Sequence, residues 1–260
     1  MQISATRDLT ASGFGFQASY TFSKSIDDTS AVITAGLSGS GAVAQPAPED
    51  PFDARLDKGP SNFDVKQALS FNVFQDLHAD RTPLRRLLGQ TLTAGWQVLG
   101  IGTFQTGLPF TVYSGIQQTG VGSMGTDRPD QIGTPVLSTS RTVREDYFGL
   151  GANNASYFSI PIGVPGGTGP NSGVFGTLGR NTFRGPGLHD IDLALIKDTP
   201  LLERAGGARA FLQFRAEFFN MFNFVNFGLP SNILLGPGFG EISRTASNSR
   251  QIQFSMKAIY

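Results

Sequence analysis

Side chains able to do chemistry are few in this sequence and poorly placed for it. His78 and His189 are its only imidazoles and stand far apart. His78 lies two residues from both Asp76 and Asp80, and His189 adjoins Asp190, but a metal centre needs three or four convergent donors. Both histidines read as loop or rim residues. Asp27-Asp28 and the group Glu49, Asp50, Asp53 and Asp57 offer carboxylate oxygens of the kind that hold calcium. They lack the spaced Asp/Asn pattern and turning glycine of a calcium loop, so they read as solvated loop acids. Gly163-Val-Pro-Gly-Gly-Thr-Gly169 has no following Lys-Ser or Lys-Thr, and Gly100-Ile-Gly102 lacks a third glycine, so neither cradles a phosphate. Ser38-Gly-Ser-Gly41 and Ser114-Gly115 show no nucleophile elbow. Asn154-Ala-Ser156 matches a glycosylation triplet by letters alone. With no convergent acid, base or nucleophile, the expectation is a protein that is not an enzyme and carries no cofactor or metal.

Composition narrows the class further. The 260 residues include 20 basic and 20 acidic side chains, so no basic stripe exists to neutralise phosphates, and no nucleic-acid partner is expected. Charged residues make up 15%, against about 25% in ordinary soluble domains. Cysteine is absent, which removes disulfides and thiolate chemistry. Phe occurs 22 times beside 5 Tyr and 1 Trp, a bias suited to strands, while 33 Gly and 15 Pro supply turns and long links. No run of about 18 apolar residues could span a bilayer as a helix.

The elements that must carry these residues read as strands. From Arg250 to Tyr260, Ile252, Phe254, Met256, Ala258 and Tyr260 share one parity, and Gln251, Gln253, Ser255 and Lys257 the other, with only Ile259 breaking it. Successive side chains on a strand point to opposite faces, so this segment has one apolar and one polar side. Leu212, Phe214, Ala216 and Phe218 alternate with Gln213, Arg215 and Glu217 in the same way. Phe14 to Phe22, Leu69 to Val73 and Asp190 to Leu195 repeat the pattern. Trp96 to Thr106 is less regular, because Leu99 and Ile101 share a parity with Gln97 and Gln105. Gln2 to Arg7 reads as the end of a further strand. Segments of about 10 residues are the length a tilted strand needs to cross a bilayer.

The connections alternate as well. Asp8–Gly13, Leu77–Gly95 and Asp198–Arg209 are short or moderate, whereas Lys24–Lys66, Ser114–Leu188 and Met221–Ser249 are long. Short turns on one side and long loops on the other are the arrangement of outer-membrane barrels. The expected fold is therefore all-β: a partial antiparallel transmembrane β-barrel of about seven strands with long extracellular loops. Gln213, Arg215, Glu217, Gln253 and Lys257 are the candidate lumen-facing residues, with Arg215 and Glu217 read as a structural ion pair. Trp96, Tyr20, Phe22 and Phe110 are the candidate aromatic girdle at the membrane interfaces.

Several runs resemble one family in order along the chain. Phe211-Leu-Gln-Phe-Arg-Ala-Glu-Phe-Phe-Asn-Met-Phe-Asn223 with Asn226-Phe-Gly-Leu-Pro230 resembles the penultimate strand and last outer loop of TonB-dependent receptors of the Oar-like type. Arg250 to Tyr260 resembles that family's final strand. Phe175 to Gly187 leading into Asp190 to Lys197, Ala18 to Asp27, and Gly107 to Val112 are similar to further stretches. The resemblance implies an outer-membrane barrel of about 22 strands with a plugged lumen, energised through TonB and transporting a bulky solute of unspecified identity. It implies that residues 1–260 are the C-terminal barrel segment, with the signal peptide and plug domain lying outside them. It also implies outer-membrane lipid, the TonB complex and the barrel-assembly machinery as partners. Phe254 and the terminal Tyr260 are then the candidate assembly signal. The alternative reading is a soluble β-sandwich acting as a binding or adhesion module, in which the apolar parities meet in a dry core.

Overall fold

The structure, a computed structural model, describes residues 1–9, 13–30, 48–77, 89–120, 127–134, 147–148, 156–161, 173–203 and 209–260. Seven strands dominate it: β1 (Gln2–Arg7), β2 (Phe14–Phe22), β3 (Gln67–Leu77), β4 (Trp96–Gln105), β5 (Leu188–Glu203), β6 (Arg209–Phe219) and β7 (Gln251–Ile259). They form one sheet in chain order, each strand antiparallel to the next. The sheet remains open between β1 and β7.

Register explains why alternation survives across the whole sheet. One row runs Phe16, Val73, Gly100, Leu193, Phe218, Ile252 from β2 to β7, each residue opposite the next. A row on the opposite face runs Ser4, Ser19, Ser70, Thr103, Asp190 from β1 to β5. Because a one-residue slip would exchange the faces, the match of parity over seven strands specifies the pairing. The apolar face is uncovered: Ile252, Phe254 and Met256 are 51%, 65% and 67% exposed. Leu212 and Phe214 on β6 are only half-buried. Beyond the large sheet, the pairing among the described residues of the long links is limited to two-residue ladders and two isolated bridges, Tyr113 with Ile233 and Phe227 with Thr245. The dry two-sheet core of a β-sandwich is not formed among them. No helix among the described residues is long and apolar enough to cross a membrane.

The irregular segment from Trp96 to Gln105 resolves once its neighbours are in place. Trp96, Val98, Gly100, Gly102 and Phe104 share the apolar face. Leu99 and Ile101 lie on the polar one, opposite Phe74 and Asn72 of β3. Gly102 is required there because a Cβ would stand 2.3 Å from the Phe71 ring, which lies across the position. The same ring stacks on Phe104 at 6.3 Å, so an aromatic side chain occupies the room the glycine leaves.

Links alternate as the sequence indicates, with one correction. The expected link Asp198–Arg209 contracts to 204–208, because β5 continues to Glu203 across a register irregularity between Pro200 and Leu202. Since β4 begins at Trp96 opposite Lys197, the overhang beyond Asp198 pairs only with β6. A proline is tolerated in a segment bonded on one side.

The larger departure concerns the three long links, 23–66, 106–187 and 220–250. Their described parts are folded together into a cap, the second and third links sharing a core and the first joined to the second by ion pairs. Phe110, Val112, Tyr147, Phe148, Phe158, Leu178, Phe183, Phe227, Leu234 and Ile242 are buried in one cluster. The ring of Phe148 meets those of Phe110, Tyr147, Phe158, Phe183 and Phe239 at centroid separations of 5.3–6.3 Å. Phe110 is therefore not a girdle residue. It points into the cap, paired with Phe183 in a short ladder, because burial among rings offers it more contact than an interface would. Gly107 marks the junction of cap and sheet, where a Cβ would lie 1.7 Å from the Gly185 carbonyl oxygen.

Candidate functional site

The candidate lumen residues gather on one side of β6 and β7. Gln213 stands opposite Lys257, Arg215 opposite Ser255 and Glu217 opposite Gln253. Arg215 and Glu217, two apart on one strand, approach to 3.5 Å, and the Gln213 amide donates to Asp198 at 2.9 Å. This arrangement supplies donors and acceptors along a wall rather than a convergent centre. At its outer end, Asp190, Asp192, Phe219, Asn220, Gln251 and residues 246–249 line a cleft of about 380 Å³. Asp192 accepts from the Asn220 amide N–H at 2.8 Å, which fixes the turn at the cleft floor.

On the apolar face the structure sorts the remaining candidates. Tyr20 and Phe22 lie toward the long-link end of β2, and Trp96 at the short-link end of β4. Lys197, opposite Trp96, belongs to the apolar parity. Its ammonium donates to the Ala94 and Asp198 carbonyls and sits 5.8 Å from the centre of the Trp96 ring. A lysine is tolerated there because its stem covers apolar surface while the charged head turns to polar groups. Phe254 stacks on Phe214 at 6.2 Å, and Tyr260 is fully exposed beyond the end of β7. His189 lies on this face too, between the rings of Phe104 and Phe224, not in a donor cluster with Asp190. His78, Ser38–Gly41, Gly163–Gly169 and Asn154 lie outside the described residues.

The acids read as solvated divide into two kinds. Asp53 stays at the surface, where it caps a turn and pairs with exposed Arg55. Glu49 and Asp57 are buried instead, each with a side chain only 1% exposed, against Arg128 at 2%. Arg128 donates to Asp57 at 2.7 Å and to the Leu56 and Leu178 carbonyls at 2.9 and 2.8 Å, and it is ion-paired to Glu49. Its own N–H donates to Glu49 at 2.7 Å. Such acids cannot stay solvated once an arginine from another link closes over them. Among the described residues, no group of three potential metal ligands exists.

Sequence reasoning missed three arginines for the same reason. Arg128, Arg180 and Arg184 of the second long link reach Glu49 with Asp57, Asp27, and Asp64 of the first. Nothing in their local spacing marks them, since their partners lie between 71 and 153 residues away. Burial alone would raise Asp27, but hydrogen bonds from Arg180, Ser61 and Ser30 hold it below its usual range. Asp64 is likewise lowered, its burial outweighed by the Ser25 amide and Arg184. Burial pushes Glu49 up to about 7, against the pull of Arg128 and with Asp57 and Asp127 adding repulsion.

Asparagines set the joints between cap and sheet. Asn220 and Asn223 adopt φ values of 49° and 54°, a region in which Asn is favoured over other non-glycine residues. The Asn220 side chain closes its turn by accepting from Phe224 N–H at 2.8 Å and donating to the Phe224 carbonyl at 2.9 Å. Asn226 acts as a one-residue strand against His189, accepting from its N–H and donating to its carbonyl, both at 2.8 Å.

A long-stranded antiparallel sheet, largely polar on one side and largely apolar on the other, with all long links at one end, defines a membrane-spanning β-barrel wall. A family model for an outer membrane beta barrel domain matches residues 1–253, and the chain belongs to that family. It is a protein of the outer membrane. Neither curated proteins nor solved structures give a match to it.

Membership turns the two faces into a quantitative expectation. Val73 is the middle of β3 on the apolar face, and exposed Asn72 lies beside it on the polar face. Val73→Arg should cost about 2–4 kcal/mol, the penalty for arginine at a bilayer midplane. Asn72→Arg should cost little. Denaturant midpoints of the full-length protein in lipid vesicles would show the difference, and equal midpoints would reverse or abolish the assignment of faces.

Proposed function

We propose that the chain is a wall segment of a TonB-dependent transporter that passes a bulky solute across the outer membrane. The observation that carries this reading is the continuous polar face formed by Gln213, Arg215, Glu217, Gln253 and Lys257, surmounted by a folded cap. A wall of fixed donors and acceptors wets a lumen and orients a passing solute without any covalent step. No catalytic role is assigned to the chain, and selectivity resides in the cap and the rim cleft. Lipid contacts the opposite face. The TonB complex acts through a plug domain encoded elsewhere in the protein, and Phe254 with Tyr260 engages the barrel-assembly machinery. The ordered resemblance of the β5 to β7 region to Oar-like receptors supports this more specific reading.

Formaldehyde cross-linking in cells that express the full-length protein tests the proposal. A cross-linked product with TonB is expected, stronger in energised cells than after collapse of the proton gradient. Absence of that product in both conditions, with the protein correctly in the outer membrane, would count decisively against TonB dependence.

A further inference from the structure

The contact between the first and second outer loops is built from charge, and the charges do not balance. Asp27, Glu49, Asp57 and Asp64 come from the first loop; Arg128, Arg180 and Arg184 come from the second. Four carboxylates therefore meet three guanidiniums. Two of these pairings are one to one, Arg180 with Asp27 and Arg184 with Asp64. The surplus falls on Arg128, which faces both Glu49 and Asp57.

The surplus is enclosed. Glu49, Asp57 and Arg128 are all essentially without solvent contact, and the Glu49 N–H donates to Asp57 at 2.9 Å, which locks the two acids side by side. Asp127 stands next in the second loop, its carboxylate already taken up by the N–H groups of Gln118 and Thr119. Beyond them are the Tyr113 phenol and the Arg180 guanidinium. Two ionised acids against one guanidinium leave a net negative charge on side chains buried away from bulk solvent, which is costly. A proton on one acid removes that cost while leaving the hydrogen bonds to Arg128 possible.

We propose that the Glu49–Arg128–Asp57 cluster is a proton-controlled latch: protonated at Glu49, it clamps the first outer loop to the second, and deprotonated, it loosens them. The device needs only the outer-surface placement of the cap and stands whether or not TonB drives transport.

The sign follows from linkage. Glu49 sits above its ordinary 4.5, at about 7. The stability this lends the folded cap is complete below the ordinary value and is lost as pH rises through the folded one. Asp27 and Asp64 are displaced downward from 3.8. Their contribution is present above that value and is lost only as pH falls through their lowered folded values. Between about pH 5 and pH 8.5, loosening on the alkaline side is therefore assigned to Glu49.

The absence of cysteine in residues 1–260 allows paired spin labels at Phe52→Cys and Ile132→Cys, both strongly exposed and on opposite sides of the contact. Any cysteine elsewhere in the full-length protein would first be replaced by serine. Pulsed electron-spin distance measurements on that protein should give one narrow distance near pH 5 and a broader, longer distribution near pH 8.5. Glu49→Gln should stay narrow at both pH values. Asp57→Asn, which also restores one acid per guanidinium, should do the same and serves if the first variant misfolds. An unchanged distance in the unaltered cap, or a pH response that persists in both variants, would overturn the latch.

Discussion

Replacing Arg128 with methionine is expected to destabilise the outer cap by about 3–5 kcal/mol, the usual consequence of removing one partner from a buried ion pair. Methionine keeps much of the volume, so the loss isolates charge and hydrogen bonding from packing. Glu49 and Asp57 would remain enclosed with no cation, and the Leu56 and Leu178 carbonyls would lose their donors. Amide hydrogen exchange over residues 48–64 and 127–134 of the full-length protein measures the effect directly. Faster exchange there, with β3 to β7 unchanged, is the expected outcome. Adding Glu49→Gln and Asp57→Asn to the same protein should recover part of the loss, because neutral amides tolerate burial better than unpaired carboxylates. Removing Arg55, whose pair with Asp53 is exposed, should change nothing measurable. If Arg128→Met and Arg55→Met behave alike, the buried cluster does not hold the cap.

Phe148→Ala should cost a similar amount, about 3–5 kcal/mol, by leaving a cavity at the centre of the cap. The ring is fully buried and meets five others, from parts of the second and third outer loops distant in sequence. Those neighbours also pack on one another, so they cannot collapse far into the void without losing their own contacts. The Tyr147 hydroxyl, which donates to the Arg184 carbonyl, adjoins the site, so looser packing should reach the arginine row as well. Exchange should rise across residues 109–113 and 178–184 while β6 and β7 keep their protection. Phe52→Ala, at a fully solvated position, is the matched control. An undisturbed cap in Phe148→Ala would mean that the aromatic cluster is incidental to its folding.

Strands were legible because their signal is local. All of β7 but Ile259 follows the alternation, and the register later confirms its apolar face against Phe218, Ala216, Phe214 and Leu212. The division into short and long links was legible for the same reason, since it needs only strand ends. Trp96 to Gln105 was less so, because Gly100 and Gly102 stand where the pattern wants bulk; at Gly102 the bulk comes from Phe71 on the neighbouring strand, and at Gly100 the space is open. The cap was illegible for a different reason. Its core comes from isolated positions in the second and third links without periodicity, and the ion pairs that tie on the first link join residues far apart in sequence. One clue was present: Phe110, Tyr147, Phe148, Phe158 and Phe183 make a supposedly solvated link too aromatic to face water.

The joining of the three outer loops, two by a common core and the first by ion pairs, also bears on how this surface can evolve. Loops that stand alone accept insertions and drift in sequence more readily than the elements they connect. Here a change at Phe148 or Arg128 is felt by more than one loop at once, so the interior of the cap must change in concert or not at all. Diversity is thereby channelled to peripheral tips such as Phe52 and Leu235, which present new chemistry to the surroundings without disturbing the shared foundation.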